Sequence, residues 1–322
     1  MTIPTTQCPW RMQVHHIHQE TPDVWTLSLL CHDYYPYRAG QYALVSVRHS
    51  AETLRAYTIS STPGVSEYIT LTVRRIDEGA GSQWLTRDVK RGDYLWLSDA
   101  MGDFTCEDKA EDTFLMLAAG CGVTPVMSMR RWLATYRPQA DVQVIYNVRS
   151  PQDVIFAEEW QAYPVTLVAE NNATEGFVAG RLTSELLQQV PDLASRTVMT
   201  CGPAPYMDMV EQEVKALGVT KLFKEKFFTP VAQAASEGLK FTKLAPAQAF
   251  YAPVGTTLLE ALESNNVPIT VACRAGVCGC CKTKVVSGEY TVSSTMTLSD
   301  TEIAEGYVLA CSCHPQGDLV LA

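Results

Sequence analysis

The sequence predicts a multidomain chain: an antiparallel β-barrel, then an α/β domain with a parallel sheet, then a small α+β unit. Three observations lead there. The first hundred residues are short β-branched runs separated by turn residues. The next hundred or so alternate strand-like and helix-like segments, the mark of a parallel sheet. The last 50 residues hold Cys273, Cys278, Cys280, Cys281, Cys311 and Cys313, six of the 11 cysteines.

The 322 residues are enough for two or three domains. With 47% hydrophobic and 19% charged residues, the chain has the composition of a folded protein. The net charge of −10 argues against a nucleic-acid binder, which carries a basic stripe. The longest apolar run, around Phe114–Gly120, falls short of the roughly 18 residues of a membrane span. No basic start followed by an apolar stretch marks a secretory signal, so the expected location is the cytoplasm. Thiols stay reduced there, and clustered cysteines bind metal or do chemistry.

In the first domain (1–110), Thr26–Leu30, Gln41–Val47 and Tyr68–Ile76 are the strand candidates, with Pro36, Gly40, Pro63 and Gly64 between them. Such spacing suits a barrel or a sandwich. The turn Gly79-Ala80-Gly81-Ser82 is expected to open a helix over 82–90, with Ser82 as its N-cap. In the second domain (111–228), strands are expected at 114–120, 141–148, 165–170 and 196–202. Helices are expected at 126–133, 154–160, 184–190 and 206–217. Residues 229–238 lack large side chains and read as a linker. The third domain (239–322) is expected to pair strands at 241–244 and 249–254. A helix over 257–265, a strand over 282–290 and a second helix over 298–310 complete it.

The cysteines carry the sharpest signal. Cys273, Cys278 and Cys281, with Cys311 thirty residues on, have the C-x4-C-x2-C…C spacing of a plant-type [2Fe–2S] site. Two irons need four thiolates, three from one loop and one from a distant segment. Gly276 and Gly279 let that loop wrap closely. Cys278, Cys281, Cys311 and Cys313 would instead make a four-cysteine zinc knot, which leaves Cys273 unused. Cys313 is also the rival to Cys311 as fourth ligand, and Cys280 reads as a spare thiol. From Leu239 to Ala322 the chain resembles a plant-type ferredoxin domain, whose fold is the β-grasp.

Two further motifs extend the resemblance. Arg55-Ala56-Tyr57-Thr58-Ile59-Ser60 is similar to the R-x-Y-[ST] strand of the ferredoxin–NADP reductase superfamily, whose barrel holds flavin. The resemblance implies that Arg55 pairs with flavin phosphate, Tyr57 packs on the ring system and Thr58 lies near flavin N5, with Ser60 on the same strand. A guanidinium suits phosphate and an aromatic face suits a flat ring. Gly79, Gly81 and Ser82 then match the stretch that cradles the diphosphate of FAD. Gly120-Cys121-Gly122-Val123-Thr124-Pro125 is not the G-x-G-x-x-G fingerprint. It resembles the family's turn for the nicotinamide dinucleotide diphosphate, which assigns Gly120, Gly122, Thr124 and Pro125 to it. Cys201-Gly202-Pro203 matches the family's C-G-P motif and inherits a place beside the nicotinamide ring.

The resemblance implies an oxidoreductase using NADH, FAD and [2Fe–2S]. Tyr57, Thr58 and Cys201 stand nearest the chemistry. NADPH stays open, because Arg149 and Ser150 at the end of the second α/β strand could suit a phosphate, with Asp153 close behind. Hydride brings two electrons and the cluster takes one, so a flavin between them divides the pair. The implied partner is a separate redox acceptor protein. Within the family the chain is most similar to reductases of hybrid-cluster proteins; the reductase component of an oxygenase shares every motif. A non-catalytic redox-regulatory subunit is the alternative of another class. It predicts degraded motifs, whereas Arg55, Tyr57, Gly120, Gly122 and Cys201 all stand.

Overall fold

A computed structural model describes residues 3–51, 53–77, 79–226, 238–245, 247–265 and 267–322. The chain divides into two compact units. One spans Met1–Ala51 and Tyr57–Phe227; the other spans Phe228–Ala322 with Glu52–Ala56. The expected linker lies outside the described residues except for Gly238, which opens a strand.

The N-terminal region holds six strands: β1 (Trp10–Thr21), β2 (Val24–Cys31), β3 (Tyr42–Ser46), β4 (Leu54–Thr58, of which Tyr57 and Thr58 fall in the first unit), β5 (Ile69–Arg74) and β6 (Tyr94–Leu97). Their order is β4-β3-β6-β1-β2-β5. The ends meet where Ile59 bridges Leu71 and Ser60 N donates to Thr70 O at 2.8 Å, which closes the sheet into a barrel. Alternate residues point inward, so Met12, Val14, Leu27, Leu29, Val45, Leu71 and Leu95 fill the interior. The expected helix over 82–90 differs. It begins at Ala80 (α1, Ala80–Gln83) and continues as a π-type turn over Trp84–Asp88. Ser82 is not its N-cap: the hydroxyl donates to Gly79 O and accepts from Ile76 N, closing the preceding turn instead.

A second six-stranded sheet follows, all parallel: β7 (Thr113–Ala119), β8 (Asp141–Val148), β9 (Thr166–Ala169), β10 (Phe177–Ala179), β11 (Thr197–Gly202) and β12 (Leu222–Lys226). The order is β10-β9-β8-β7-β11-β12. It is crossed by α2 (Val123–Tyr136), α3 (Ser184–Gln188) and α4 (Ala204–Ala216). Strands β10 and β12 were not expected. The helix expected over 154–160 does not form, because Phe156 takes a left-handed φ of 59° and its N–H donates to Glu20 Oε2 of the barrel at 3.2 Å. A tertiary hydrogen bond overrides local propensity there.

The N-terminal edge of this sheet is tied by Arg196, which is 1% exposed. Its Nε donates to Pro191 O at 2.7 Å, its Nη1 to Phe114 O and Asp141 O, and its Nη2 to the Asp141 carboxylate.

The second unit holds β13 (Gly238–Lys243), β14 (Gln248–Pro253), β15 (Lys282–Ser287), β16 (Tyr290–Val292), β17 (Tyr307–Leu309), β18 (Cys313–Pro315) and β19 (Leu319–Leu321), with α5 (Leu258–Ser264) and α6 (Asp300–Ala304). Five strands form a mixed sheet, β14-β13-β19-β15-β17, and β16 pairs with β18 separately. Thr257 and Glu260 cap α5 reciprocally, and α5 buries Leu258, Leu259, Ala261 and Leu262 against the sheet. The second helix is shorter than expected. Gly306 takes φ 85° and ends α6, and Tyr307–Leu309 becomes a strand. The expected strand over 282–290 likewise breaks at Gly288, φ 118°.

Candidate cofactor and electron-transfer sites

The described geometry gathers the predicted residues into three places. The first is the barrel strand β4 and its continuation. Thr58 and Ser60 are buried, and Arg55 and Tyr57 are half-buried. Ser60 shares its hydroxyl with Thr70 and Thr72, so it serves the barrel's own network. Thr58 Oγ1 is buried with no hydrogen-bond partner, and so is Gln83 Oε1 on α1. A native fold seldom leaves buried polar atoms unsatisfied without reason. These two, on the two segments that the sequence assigns to flavin, fit a bound FAD that supplies their partners.

The second place is the C-terminal edge of the parallel sheet. Residues 120–122 make the turn from β7 into α2. A Cβ on Gly122 would stand 2.0 Å from Cys201 O, so only glycine lets the turn lie against the end of β11. Gly120 is in the left-handed region, φ 53°, with Arg74 Nη1 3.0 Å from where its Cβ would be. Thr124 Oγ1 donates to Cys121 O at 2.9 Å, and Pro125 is buried in the first turn of α2. Gly202 is pressed between Ala119 and Tyr206. Pro203 caps α4 and is exposed. Cys201 is fully buried, and burial, then Glu225 and Cys121, push its thiol up.

Helix α2 is stapled to the barrel just beyond the flavin strand. Ser128 Oγ donates to Ser61 O at 2.5 Å, Thr62 Oγ1 to Ser128 O at 3.0 Å, and Arg131 Nη1 to Ser60 O at 2.7 Å. Arg131 is itself clamped by both oxygens of Glu159. The glycine turn and the Thr58 strand therefore belong to one body, which holds reacting groups at fixed separation.

Glu225 and Asn147 were not singled out from the sequence. Glu225 pairs with Cys201 across the β11–β12 ladder. The residue is partly exposed, but its Oε2 is buried without a partner, and burial raises the carboxyl to about 8. At neutral pH it is protonated and able to donate a hydrogen bond. The available signal was a charged residue alternating with lysines in a run too short to read as a strand. Asn147 Nδ2 donates to Ala118 O and to the Tyr206 hydroxyl, and its Oδ1 is left without a partner.

The third place is the cysteine loop. Arg274, Gly276 and Gly279 all have left-handed φ, at 57°, 72° and 74°. The chain there curls so that backbone N–H groups face sulfur. Gly276 N donates to Cys311 Sγ at 3.2 Å, Ala275 N to Cys273 Sγ at 3.4 Å and Cys311 N to Cys281 Sγ at 3.5 Å. Cys281 and Cys311 sulfurs stand 3.2 Å apart, and Cys273 contacts both Cys278 and Cys311. The contacts between the thiols, each pair sharing protons, push Cys273 and Cys281 down and Cys278 and Cys311 up. Cys313 is outside this group: it is fully buried in the apolar core, and burial alone raises its thiol to about 12. The converging set thus includes Cys273 and omits Cys313, which fits a [2Fe–2S] donor set and not the zinc alternative. Cys280 contacts Cys278 O at 3.9 Å. None of the eleven cysteines is in a disulfide.

Comparison with known proteins agrees with this geometry. Residues 12–106 match the model of an oxidoreductase FAD-binding domain, residues 116–212 an oxidoreductase NAD-binding domain, and residues 243–316 a 2Fe-2S iron-sulfur cluster binding domain. The chain is 88% identical to NADH oxidoreductase HCR of Escherichia coli K12, over all of both chains. It is 28% identical to the glycine betaine monooxygenase reductase subunit of Chromohalobacter salexigens, over 99% of this chain and 98% of that one. Its fold is similar to that of phthalate dioxygenase reductase, with a TM-score of 0.69, 23% identity and 97% of each chain covered. The chain belongs to the family of oxidoreductases that join an FAD-binding barrel, an NAD-binding α/β domain and a [2Fe–2S] ferredoxin domain in one polypeptide.

Proposed function

We propose that the chain takes electrons from NADH and passes them through FAD and the [2Fe–2S] cluster to a separate acceptor, the hybrid-cluster protein. The observation that carries the electron path is the set of four converging cysteine sulfurs on the same chain as the two nucleotide sites. The full-length 88% identity to NADH oxidoreductase HCR supports the choice of NADH and of acceptor.

Bound FAD supplies the means of taking an electron pair and releasing it singly to a one-electron carrier. The chain's residues arrange this. Arg55 would hold flavin phosphate, and Tyr57 and Thr58 would hold the flavin ring system. The α1 turn, with Gly79, Gly81 and Ser82, would hold the flavin diphosphate. Gly120, Gly122, Thr124 and Pro125 would hold the dinucleotide diphosphate, and Cys201 with Gly202 and Pro203 the nicotinamide. Burial keeps Cys201 a neutral thiol, an uncharged surface for a nicotinamide ring. Cys273, Cys278, Cys281 and Cys311 hold the cluster, with backbone N–H groups on their sulfurs to stabilise its negative charge.

Among the described residues no helix is long and apolar enough to cross a membrane, and the cytoplasm is the location that reduced thiols favour. The acceptor is tested by mixing the NADH-reduced protein anaerobically with purified hybrid-cluster protein and, separately, with an oxygenase component. Reoxidation that saturates with hybrid-cluster protein and not with the oxygenase supports the proposal. The reverse result makes the chain an oxygenase reductase.

A further inference from the structure

The parallel sheet fixes which way a dinucleotide runs. Its diphosphate belongs at the glycine turn after β7, and Cys201 lies at the end of β11 on one side of β7. The adenosine half therefore extends over the other neighbour, β8, whose end carries Arg149 and Ser150. In an NADPH enzyme a cation at this place receives the 2′-phosphate.

Here Arg149 is exposed but already engaged. Its Nη2 donates to Asp153 Oδ1 at 2.6 Å and to Asp23 Oδ2 at 2.8 Å. Asp23 comes from the turn between β1 and β2 of the barrel, and also faces Arg74 Nε at 3.3 Å. Thr21 Oγ1 donates to its other oxygen at 3.0 Å, and Arg75 N to its backbone carbonyl at 2.8 Å, so its position is fixed from the barrel side. Asp153 Oδ2 accepts from Ser150 Oγ at 2.8 Å, which removes the neighbouring hydroxyl as well. The next cation along the strand ends, Arg181, is paired with Glu170 at 3.1 Å.

We infer that Asp23 and Asp153 are specificity-determining positioning residues, which hold Arg149 and so exclude the 2′-phosphate of NADPH. A dianionic phosphate arriving at Arg149 must break two charge-assisted hydrogen bonds and then lie against two carboxylates. NADH, with a neutral 2′-hydroxyl, meets neither cost. The selectivity is a built-in repulsion and not a better contact to NADH. It also has an unusual source, since half of it comes from the flavin barrel.

The inference rests on the NADH-to-FAD reading above. Its test measures kcat/KM for NADH and for NADPH in full-length flavin-loaded protein, with ferricyanide as electron acceptor. Asp23→Asn and Asp153→Asn together are expected to raise the NADPH-to-NADH ratio of kcat/KM by about tenfold or more, through a lower KM for NADPH. Adding Arg149→Ala is expected to abolish that gain, and Asp23→Glu to restore the parent ratio. A ratio unchanged in the double variant, or a gain that survives Arg149→Ala, overturns the inference. If the double variant loses flavin, Asp153→Asn alone carries the same test, since Asp153 lies outside the barrel. Failure of the parent to oxidise NADH strikes the underlying reading instead.

Discussion

The two edges of the parallel sheet use charge in opposite ways. At the N-terminal edge Arg196 is 1% exposed and engaged from Nε, Nη1 and Nη2, by three backbone carbonyls and a carboxylate. At the C-terminal edge Asn147 Oδ1 and Glu225 Oε2 are buried with no hydrogen bond. The first arrangement is complete without any ligand and its work is stability. The second leaves polar atoms waiting, and it is where the glycine turn, Cys201 and Arg149 converge. Position on the sheet separates folding residues from cofactor residues better than burial does.

The sharpest way to break this contrast is at Arg196. Arg196→Leu removes the side-chain donor to the carbonyls of Phe114 and Pro191, while the half-exposed Asp141 carboxylate stays solvated. The expected loss is about 2–3 kcal/mol, read by chemical denaturation. A loss under about 1 kcal/mol would show that the N-terminal edge is no more structural than the other. Gly122→Ala comes next. Its methyl meets Cys201 O at 2.0 Å, so the turn must move away from β11. A misplacement of that order is expected to lower NADH-driven flavin reduction about 100-fold. Unchanged reduction in rapid mixing would remove the turn from the nicotinamide site.

Glu225→Gln is expected to be smaller and pH-dependent. The folded carboxyl, raised to about 8, binds its proton more tightly than the unfolded one. Its contribution to stability is full below the unfolded value of 4.5 and is lost as pH rises through about 8. Gln cannot ionise, so the variant's melting temperature should fall less than the parent's between pH 6 and about 9. Parallel melting curves against pH would show that Glu225 is solvated. The smallest effect sharpens the cysteine assignment. Cys313→Ala is expected to retain the visible iron–sulfur absorption, at about 2–3 kcal/mol or less of stability, whereas Cys273→Ala is expected to lose that absorption. Loss in Cys313→Ala with retention in Cys273→Ala would revive the zinc-type set.

Most of this arrangement was legible in order along the chain. The strand runs of β7, β8 and β11 and the glycines after β7 are local signals, and Gly122 has a local signature for a non-local reason. The C-x4-C-x2-C spacing was equally local. What escaped is tertiary. Phe156 is forced left-handed by a carboxylate 136 residues away, so helical periodicity over 154–160 misled. Glu225 has no local signal for its place opposite Cys201, which the β11–β12 ladder alone sets. Asp23 sits in an ordinary hairpin turn, and only the packed barrel carries it to Arg149. Tyr307–Leu309 falls inside the helix expected over 298–310, and the left-handed Gly306 stops that helix before it.

Electron flow from NADH through flavin to an iron–sulfur cluster within one chain is tested most directly by an anaerobic NADH titration of the purified protein, followed in the visible spectrum and by low-temperature electron paramagnetic resonance. Flavin bands over a broad iron–sulfur absorption are expected, both bleached by near-stoichiometric NADH, with a reduced-cluster signal growing in step. Flavin that bleaches with no iron–sulfur absorption beneath it and no cluster signal would contradict that electron path.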